Sequence, residues 1–285
     1  MFRDWYIFYS AGKAVLQGKF PYSVIDYYNP IQVAWILAPT TILPFEIWVY
    51  VMIALSFIGI VALCKRKSHL TLLSFPFVFG MTMGSLDVLL WVPSRLLGGV
   101  GLSLLTLKPQ LAVVVAPLQL MSWYREDQKS EVVRFFISTI LLWGIPTLIH
   151  PGWFMKWVNN LPPIETRLHG AASLAGFHAL TGGSAVYLAL FFVILIWLLF
   201  KKRNDYYLAA SFSPSFWPSD WMIAAEHITW RFTVLSWLLV PTGIGVNGAQ
   251  FYFLLGFLIW IEKDYGKIKS WLENHLQVFK KRNHL

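Results

Sequence analysis

Charged residues are scarce in this sequence. Asp, Glu, Lys and Arg make up 13% of the 285 residues, whereas 57% of the residues are hydrophobic. An average soluble domain carries about 25% charged residues, so this chain cannot cover a water-facing surface of its size. The composition therefore excludes an ordinary soluble domain and indicates an integral membrane protein.

Cysteine and the common cofactor motifs are also missing. Cys64 is the only cysteine, which excludes an intramolecular disulfide. The histidines show neither H-x-x-x-H nor H-E-x-x-H spacing, and the chain has no Walker-type loop and no G-x-G-x-x-G. We therefore expect no metal, no other cofactor and no soluble nucleotide-binding domain. The first 20 residues also lack the basic start, apolar core and cleavage site of a signal peptide.

Basic residues occur in short clusters between apolar runs, although the formal net charge is +9. This distribution is typical of the positive-inside pattern of membrane proteins and does not favour nucleic acid as a partner. Phe45–Cys64 is apolar and long enough to cross a hydrocarbon core of about 30 Å, and Lys65–Lys67 follow it directly. The pattern predicts that residues 65–67 are cytoplasmic and that residues 1–44 are extracytoplasmic.

The rest of the chain predicts further membrane passes. Pro and Gly interrupt the apolar run Leu70–Trp123, which fits four short passes whose broken helices line protein or a cavity. Glu131–Ile149 and Ser184–Phe200 predict two more spans around an outer loop, and Tyr206–Trp217 predicts a short outward pass. After residue 230, two further passes would leave a basic tail outside, so either one pass is misassigned or a segment is re-entrant.

We therefore expect an all-α, polytopic transmembrane helix bundle in the plasma membrane. Residues 1–262 form the membrane domain, with residues 1–44 as an outer loop, and residues 263–285 form a basic tail. Within the outer loop, apolar residues at helical spacing end at Gly18 and predict an amphipathic helix in the membrane interface. Trp5 and Tyr6 are expected at headgroup depth. The apolar positions are Trp5, Phe8, Tyr9, Gly12, Val15 and Leu16.

Aromatic, small and proline residues follow Asp4 at characteristic intervals. They are Phe8, Tyr9, Ala11, Gly12, Val15, Gly18, Pro21, Tyr22, Tyr28, Pro30, Pro39 and Pro44. This order resembles the first extracytoplasmic loop of the GT-C membrane glycosyltransferases. The most similar branch is glycosyltransferase family 87, the polyprenyl-phosphate-mannose-dependent α-mannosyltransferases.

Two later stretches extend the resemblance. The first comprises Gly84, Asp87, Gly98, Gly99, Gly101 and the pair Lys108-Pro109, with Ser85 where the family tends to have Gln. The second is S-P-S-F-W-P-S-D, which ends at Asp220 and is similar to an S-P-x-x-x-x-D element of the family. The resemblance covers roughly the first 125 residues, and beyond them it is mainly one of hydropathy.

The resemblance implies transfer of a hexose, with mannose as the first choice, from a polyprenyl-phosphate donor to a lipid or glycan on the outer face. Such a transfer needs one carboxylate to deprotonate the acceptor hydroxyl, and the motif assigns this role to Asp4. Lys108 is expected to bind the leaving phosphate. Asp26 is the second choice of base.

Further substrate contacts are predicted at Asp87, in the tyrosine-rich loop with Tyr22 and Tyr28, and at Arg167 and His169. Each of the main candidates also has an ordinary structural interpretation. Asp4 fits a helix N-cap, Asp26 a turn residue, and Lys108 a side chain that reaches the interface or pairs with Asp87.

Two other functions remain open at this point. A transporter or flippase of lipid-linked sugars would also show broken helices and buried charge, but it predicts pseudo-symmetric halves that the sequence does not display. A non-catalytic fragment or accessory subunit is the other alternative. GT-C enzymes carry a transmembrane helix before the acidic loop and only three residues precede Asp4, so the resemblance implies a chain without its first helix.

Overall fold

The computed structural model describes residues 2–162, 184–213, 216–239 and 251–265. All regular structure in these ranges is helical, which confirms the predicted all-α class. The α-helices are α1 (Arg3–Leu16), α2 (Ile31–Leu37), α3 (Phe45–Cys64), α4 (Ser68–Leu72), α5 (Phe75–Met83), α6 (Asp87–Leu96), α7 (Gly98–Leu105), α8 (Pro109–Arg125), α9 (Lys129–Ile149), α10 (Trp153–Asn160), α11 (Ser184–Phe200), α12 (Tyr206–Ala210) and α13 (Trp230–Leu238). Residues 253–265 are also helical.

Two helical stretches are long and apolar enough to cross a membrane. They are Phe45–Leu72, which is α3 with its extension into α4, and Lys129–Ile149, which is α9. These stretches confirm the spans predicted at Phe45–Cys64 and Glu131–Ile149. The pair α5 and α6 meets the same criteria jointly but is bent by 120°. The described ranges therefore establish a helical protein with two apolar spanning helices, or three if the bent pair counts as one span.

The structure differs from the predicted passes in two places. Between Leu70 and Trp123 the glycines and prolines divide the chain into helices α5 to α8, of which α5, α6 and α7 have ten residues or fewer. The predicted outward pass over Tyr206–Trp217 is wrong, because α12 ends at Ala210 and a ten-residue 3₁₀ segment begins at Pro218. Arg167, His169, most of the basic tail and residues 240–250 lie outside the described residues.

Helix α1 forms where the apolar spacing predicts it, and it packs on the Phe45 end of α3. Trp5 is fully buried, lies 5.7 Å from Trp48 between ring centroids, and donates from Nε1 to the carbonyl of Met81 over 3.0 Å. The prediction that Trp5 lies at headgroup depth is therefore wrong. Tyr6, the next residue, keeps 60% of its surface exposed.

Close glycine contacts bring α7 against both of its neighbours. A Cβ at Gly99 would lie 2.1 Å from the carbonyl oxygen of Glu131 on α9, and one at Gly101 would lie 1.8 Å from that of Pro93 on α6. The carboxylate of Glu131 accepts a 2.8 Å hydrogen bond from the N–H of Gly99. These contacts fix the end of α7, and hence the turn that carries Lys108.

The 3₁₀ segment Pro218–His227 runs through the interior of the molecule. Its residues from Pro218 to Ala225 are all buried, which is unusual because 3₁₀ runs rarely exceed three or four residues. At its far end, Glu226 accepts from Arg95 Nε over 2.7 Å, and the carbonyl of Ala225 accepts from Thr71 over 3.0 Å. Asp220 near its start contributes to the site described next.

Candidate functional site

The break between α5 and α6 places a carboxylate at the start of a helix inside the protein. Gly84 ends α5 with φ +102°, a left-handed conformation that glycine adopts without a steric penalty. The chain then turns by 120° and α6 begins at Asp87. A Cβ at Gly84 would lie 2.3 Å from the backbone nitrogen of Trp5, so the break packs directly on the start of α1.

Asp87, Lys108 and Asp220 form a buried ionic triad. The ammonium of Lys108 contacts Oδ1 of Asp87 and lies 2.6 Å from Oδ1 of Asp220. The two carboxylate side chains are 1% and 0% exposed, and that of Lys108 is 15% exposed. With all three groups ionised the triad carries a net charge of −1. Removing either kind of charge would leave the other buried without full compensation.

Neighbouring groups hold both carboxylates of the triad in place. Ser85 donates its hydroxyl hydrogen to Oδ2 of Asp87. The backbone N–H of Trp217 donates to Oδ2 of Asp220 over 2.7 Å. Each carboxylate therefore uses one oxygen for a local hydrogen bond and turns the other toward Lys108.

The triad lies about halfway along α3. At one end of α6, Arg95 pairs with Glu226, whose neighbour Ala225 accepts a 3.4 Å hydrogen bond from Cys64. Val92 packs on Gly59, and Asp87 precedes Val92 by five residues. At 1.5 Å per residue, Asp87 is about 7 Å beyond the level of Gly59 and about 16 Å from the level of Lys65. A charge cluster near the middle of a span about 30 Å long is a functional-site candidate.

Asp4 lies beside this triad. Its neighbour Trp5 packs in one hydrophobic cluster with Leu86 and Leu107, the residues that precede Asp87 and Lys108. Helix α1 begins at Arg3 with Phe2 as its N-cap, and no side chain caps it, so the N-cap interpretation of Asp4 is wrong. Partial burial raises the pKa of Asp4 above its ordinary 3.8, while the charges of Arg3 and Lys108 partly oppose this shift.

Asp26 is held at the outer rim of the site. Arg3 donates to Oδ2 of Asp26, and Tyr28 donates from its hydroxyl to Oδ1 over 2.8 Å. These hydrogen bonds, that of Tyr28 foremost, lower the pKa of Asp26. Its backbone has φ +64°, which agrees with the turn interpretation. Asp26 is therefore a weaker base than Asp4 and fixes the loop against α1.

The other predicted substrate contacts are spread over the outer loop. Tyr22 lies 5.8 Å from Tyr27 between ring centroids, and Tyr27 lies 6.4 Å from Phe8 on α1. Helix α10 docks on this loop, because Trp157 Nε1 donates to the carbonyl of Tyr28 over 2.8 Å. The structure thus brings Asp4, Asp87 and Lys108 together and leaves Asp26, Tyr28 and Tyr22 at the rim.

Comparisons of the chain with protein-family models, with curated proteins and with solved structures give no match. The function must therefore be argued from the site itself. Within the described ranges, no group of three or more His, Cys, Asp or Glu residues is arranged to hold a metal ion.

Sequence reasoning missed three residues of this site. Ser85 departs from the family pattern, yet its hydroxyl serves Asp87. Asp220 carries a motif signal, but its contact with Lys108 joins positions 112 residues apart, which no local pattern reveals. Arg3 lies next to Asp4, and its side chain stays 70% exposed at the rim.

Gly84→Ala is expected to destabilise the protein by more than about 2 kcal/mol. The new Cβ would clash with Trp5, and alanine at φ +102° adds a strain of about 1–3 kcal/mol. Thermal unfolding of the detergent-solubilised protein measures this loss. Gly144→Ala is the matched control, because a Cβ there meets nothing within 4 Å and alanine favours helix α9. Equal melting temperatures for the two variants would contradict the packing of the break on α1.

Proposed function

We propose that the protein is a membrane glycosyltransferase that transfers a hexose, with mannose as the first candidate, from a polyprenyl-phosphate donor to a lipid or glycan acceptor on the outer face. The observation that carries the proposal is the position of Asp4. A half-buried carboxylate with a raised pKa lies beside a lysine, at the broken end of a helix near the middle of the membrane span. Membrane-embedded charges of this kind are rare and mark functional sites.

The chemistry asks for one base and for positive charge near the leaving group. The acceptor hydroxyl oxygen forms a bond to the anomeric carbon of the sugar, and the bond from that carbon to the phosphate oxygen breaks. The proton of the hydroxyl passes to the carboxylate of Asp4, while the electron pair leaves with the polyprenyl phosphate. A pKa above 3.8 makes Asp4 a better proton acceptor than an ordinary aspartate, yet one that remains ionised at neutral pH.

Arg3 and Lys108 divide the task of meeting the phosphate. Two buried carboxylates already compensate Lys108, so its charge is less available to an anion than the sequence predicts. Arg3 has a 70% exposed side chain and shares its charge only with the rim carboxylate of Asp26. In this proposal Arg3 receives the donor phosphate with a planar guanidinium, and Lys108 keeps the two buried aspartates in position beside Asp4.

One observation favours a second function, transport of a lipid-linked sugar. Discontinuous helices with charges near the membrane centre also occur at the substrate sites of transporters, and α5 with α6 forms such a pair with a 120° bend. Transfer needs a base that reaches the substrate, whereas transport does not. The half-exposed position of Asp4 is the feature that ranks glycosyl transfer first.

The test is direct. The full chain is reconstituted in liposomes that contain radiolabelled polyprenyl-phosphate mannose or polyprenyl-phosphate glucose and a bacterial lipid extract as acceptor. We expect label to move from the donor to a new lipid or glycan product. Absence of transfer from both donors, together with passage of the intact donor across the bilayer, would replace the proposal with the second function.

A further inference from the structure

A groove with polar and aromatic walls lies on the outer surface, away from the ionic triad. Its volume is about 430 Å³, within the range of small-molecule sites, and it is open to solvent. One wall comes from the loop after α1 and the other from α10. The lining residues are Phe20, Tyr22, Ser23, Lys156, Asn159 and Asn160.

The walls of this groove are fixed to each other. Asn160 donates from Nδ2 to the carbonyl of Tyr27 over 2.6 Å, which ties the end of α10 to the tyrosine loop. The ammonium of Lys156 lies 4.6 Å from the ring centroid of Phe20 across the groove. Phe20 and Tyr22 are themselves in contact at 5.3 Å between ring centroids. A preformed groove of this kind binds a ligand without first having to order its own walls.

The chemistry of the walls matches a carbohydrate. Rings at Phe20 and Tyr22 offer apolar surface for the C–H face of a pyranose, and Ser23 with the two asparagines offers hydroxyl and amide groups that both donate and accept. No carboxylate lines the groove, so a cation is not the favoured ligand. Sugar hydroxyls are the groups that such a mixed set of neutral donors and acceptors satisfies.

The groove also connects to the reaction site. Tyr22 contacts Tyr27, and Tyr27 contacts Phe8, which lies one helical turn after Asp4 on the same face of α1. We propose that the groove binds the oligosaccharide part of the acceptor, an inference that rests on the glycosyl transfer proposed above. The sugar that accepts the new residue then lies at Asp4, and the sugars behind it extend past the two tyrosines into the groove.

Oligosaccharide binding is measured by saturation-transfer NMR on the full chain in nanodiscs, with α-mannotetraose and maltotetraose as probes. We expect a dissociation constant on the order of 1 mM for at least one tetrasaccharide, since the groove is open and its contacts are few. Asn159→Ala and Lys156→Gln should each weaken binding at least about threefold, the effect of losing one hydrogen bond. Lys67→Gln is the matched control, because Lys67 is exposed on the predicted cytoplasmic side and should bind as the parent does.

Failure to bind either probe, or equal binding by the parent and both groove variants, would overturn the inference. Transfer from polyprenyl-phosphate mannose to octyl α-mannoside is measured in parallel, because its single sugar does not extend into the groove. Transfer without tetrasaccharide binding would reject the groove and leave the proposed function intact. Tetrasaccharide binding without transfer to any acceptor would reject acceptor recognition together with the proposed function.

Discussion

Asp4→Asn is expected to lower the rate of sugar transfer by about 10²- to 10⁴-fold, the usual cost of removing a general base. Asparagine has the same shape but cannot accept the proton of the acceptor hydroxyl. Since Asp4 does not cap α1, the substitution removes no cap and folding should be preserved. Initial rates with labelled donor in proteoliposomes, together with the melting temperature, separate the two effects.

The pH dependence of the parent protein gives an independent check on Asp4. Burial raises its pKa, so the carboxylate is ionised above that raised value and becomes protonated as the pH falls through it. The transfer rate should therefore fall on acidification, at a pH above the ordinary 3.8 of an aspartate. Asp26→Asn is the control, because its hydrogen bonds lower its pKa and give it no role in proton transfer. An Asp4→Asn variant that transfers sugar within about threefold of the parent would remove Asp4 from the mechanism.

Lys108→Ala is expected to prevent normal folding. It leaves Asp87 and Asp220 facing each other in the interior without a cation, and breaking a buried ion pair from one side costs about 3–5 kcal/mol. From the sequence alone, Lys108 is predicted to matter more for rate than for stability. The triad reverses this order, and size-exclusion profiles with thermal unfolding of the variant measure the outcome.

A charge-matched variant shows whether the loss comes from the uncompensated carboxylates. Lys108→Met combined with Asp87→Asn and Asp220→Asn removes all three charges, and we expect it to recover most of the stability that Lys108→Ala loses. Its transfer rate then reports what Lys108 contributes beyond folding. Parental stability in the single Lys108→Ala variant would mean that the triad does not hold the fold together.

Local patterns in the sequence predicted the helices well. Apolar spacing located α1 within two residues of its end, and the apolar run before Lys65 gave the bounds of α3. Both signals depend on residues that are neighbours along the chain. The burial of Trp5 could not be predicted in this way, because its environment comes from Met81 and Gly84, far along the sequence.

The candidate site was predicted in part for the same reason. Asp4, Asp87 and Lys108 were each identified from motif positions, and the pairing of Asp87 with Lys108 was an open alternative. That pairing is observed, but the share of Asp220 in it depends on a buried 3₁₀ segment that the sequence predicted as a membrane pass. Periodicity does not reveal such a segment, since a 3₁₀ run of this length has no common sequence signature.

The separation of the triad residues along the chain also bears on how the protein is made. A growing chain exposes Asp87 and Lys108 to the membrane 112 residues before Asp220 is synthesised. During that interval the lysine and one aspartate can enter the bilayer as a neutral pair, which lowers the cost of inserting either charge. The excess negative charge arrives only with the last third of the chain, when α6 and α8 already surround its place. Insertion of the segment from Phe75 to Arg125 should therefore depend on Lys108 and Asp87 as a pair, and completion of the site on the later docking of Pro218–His227.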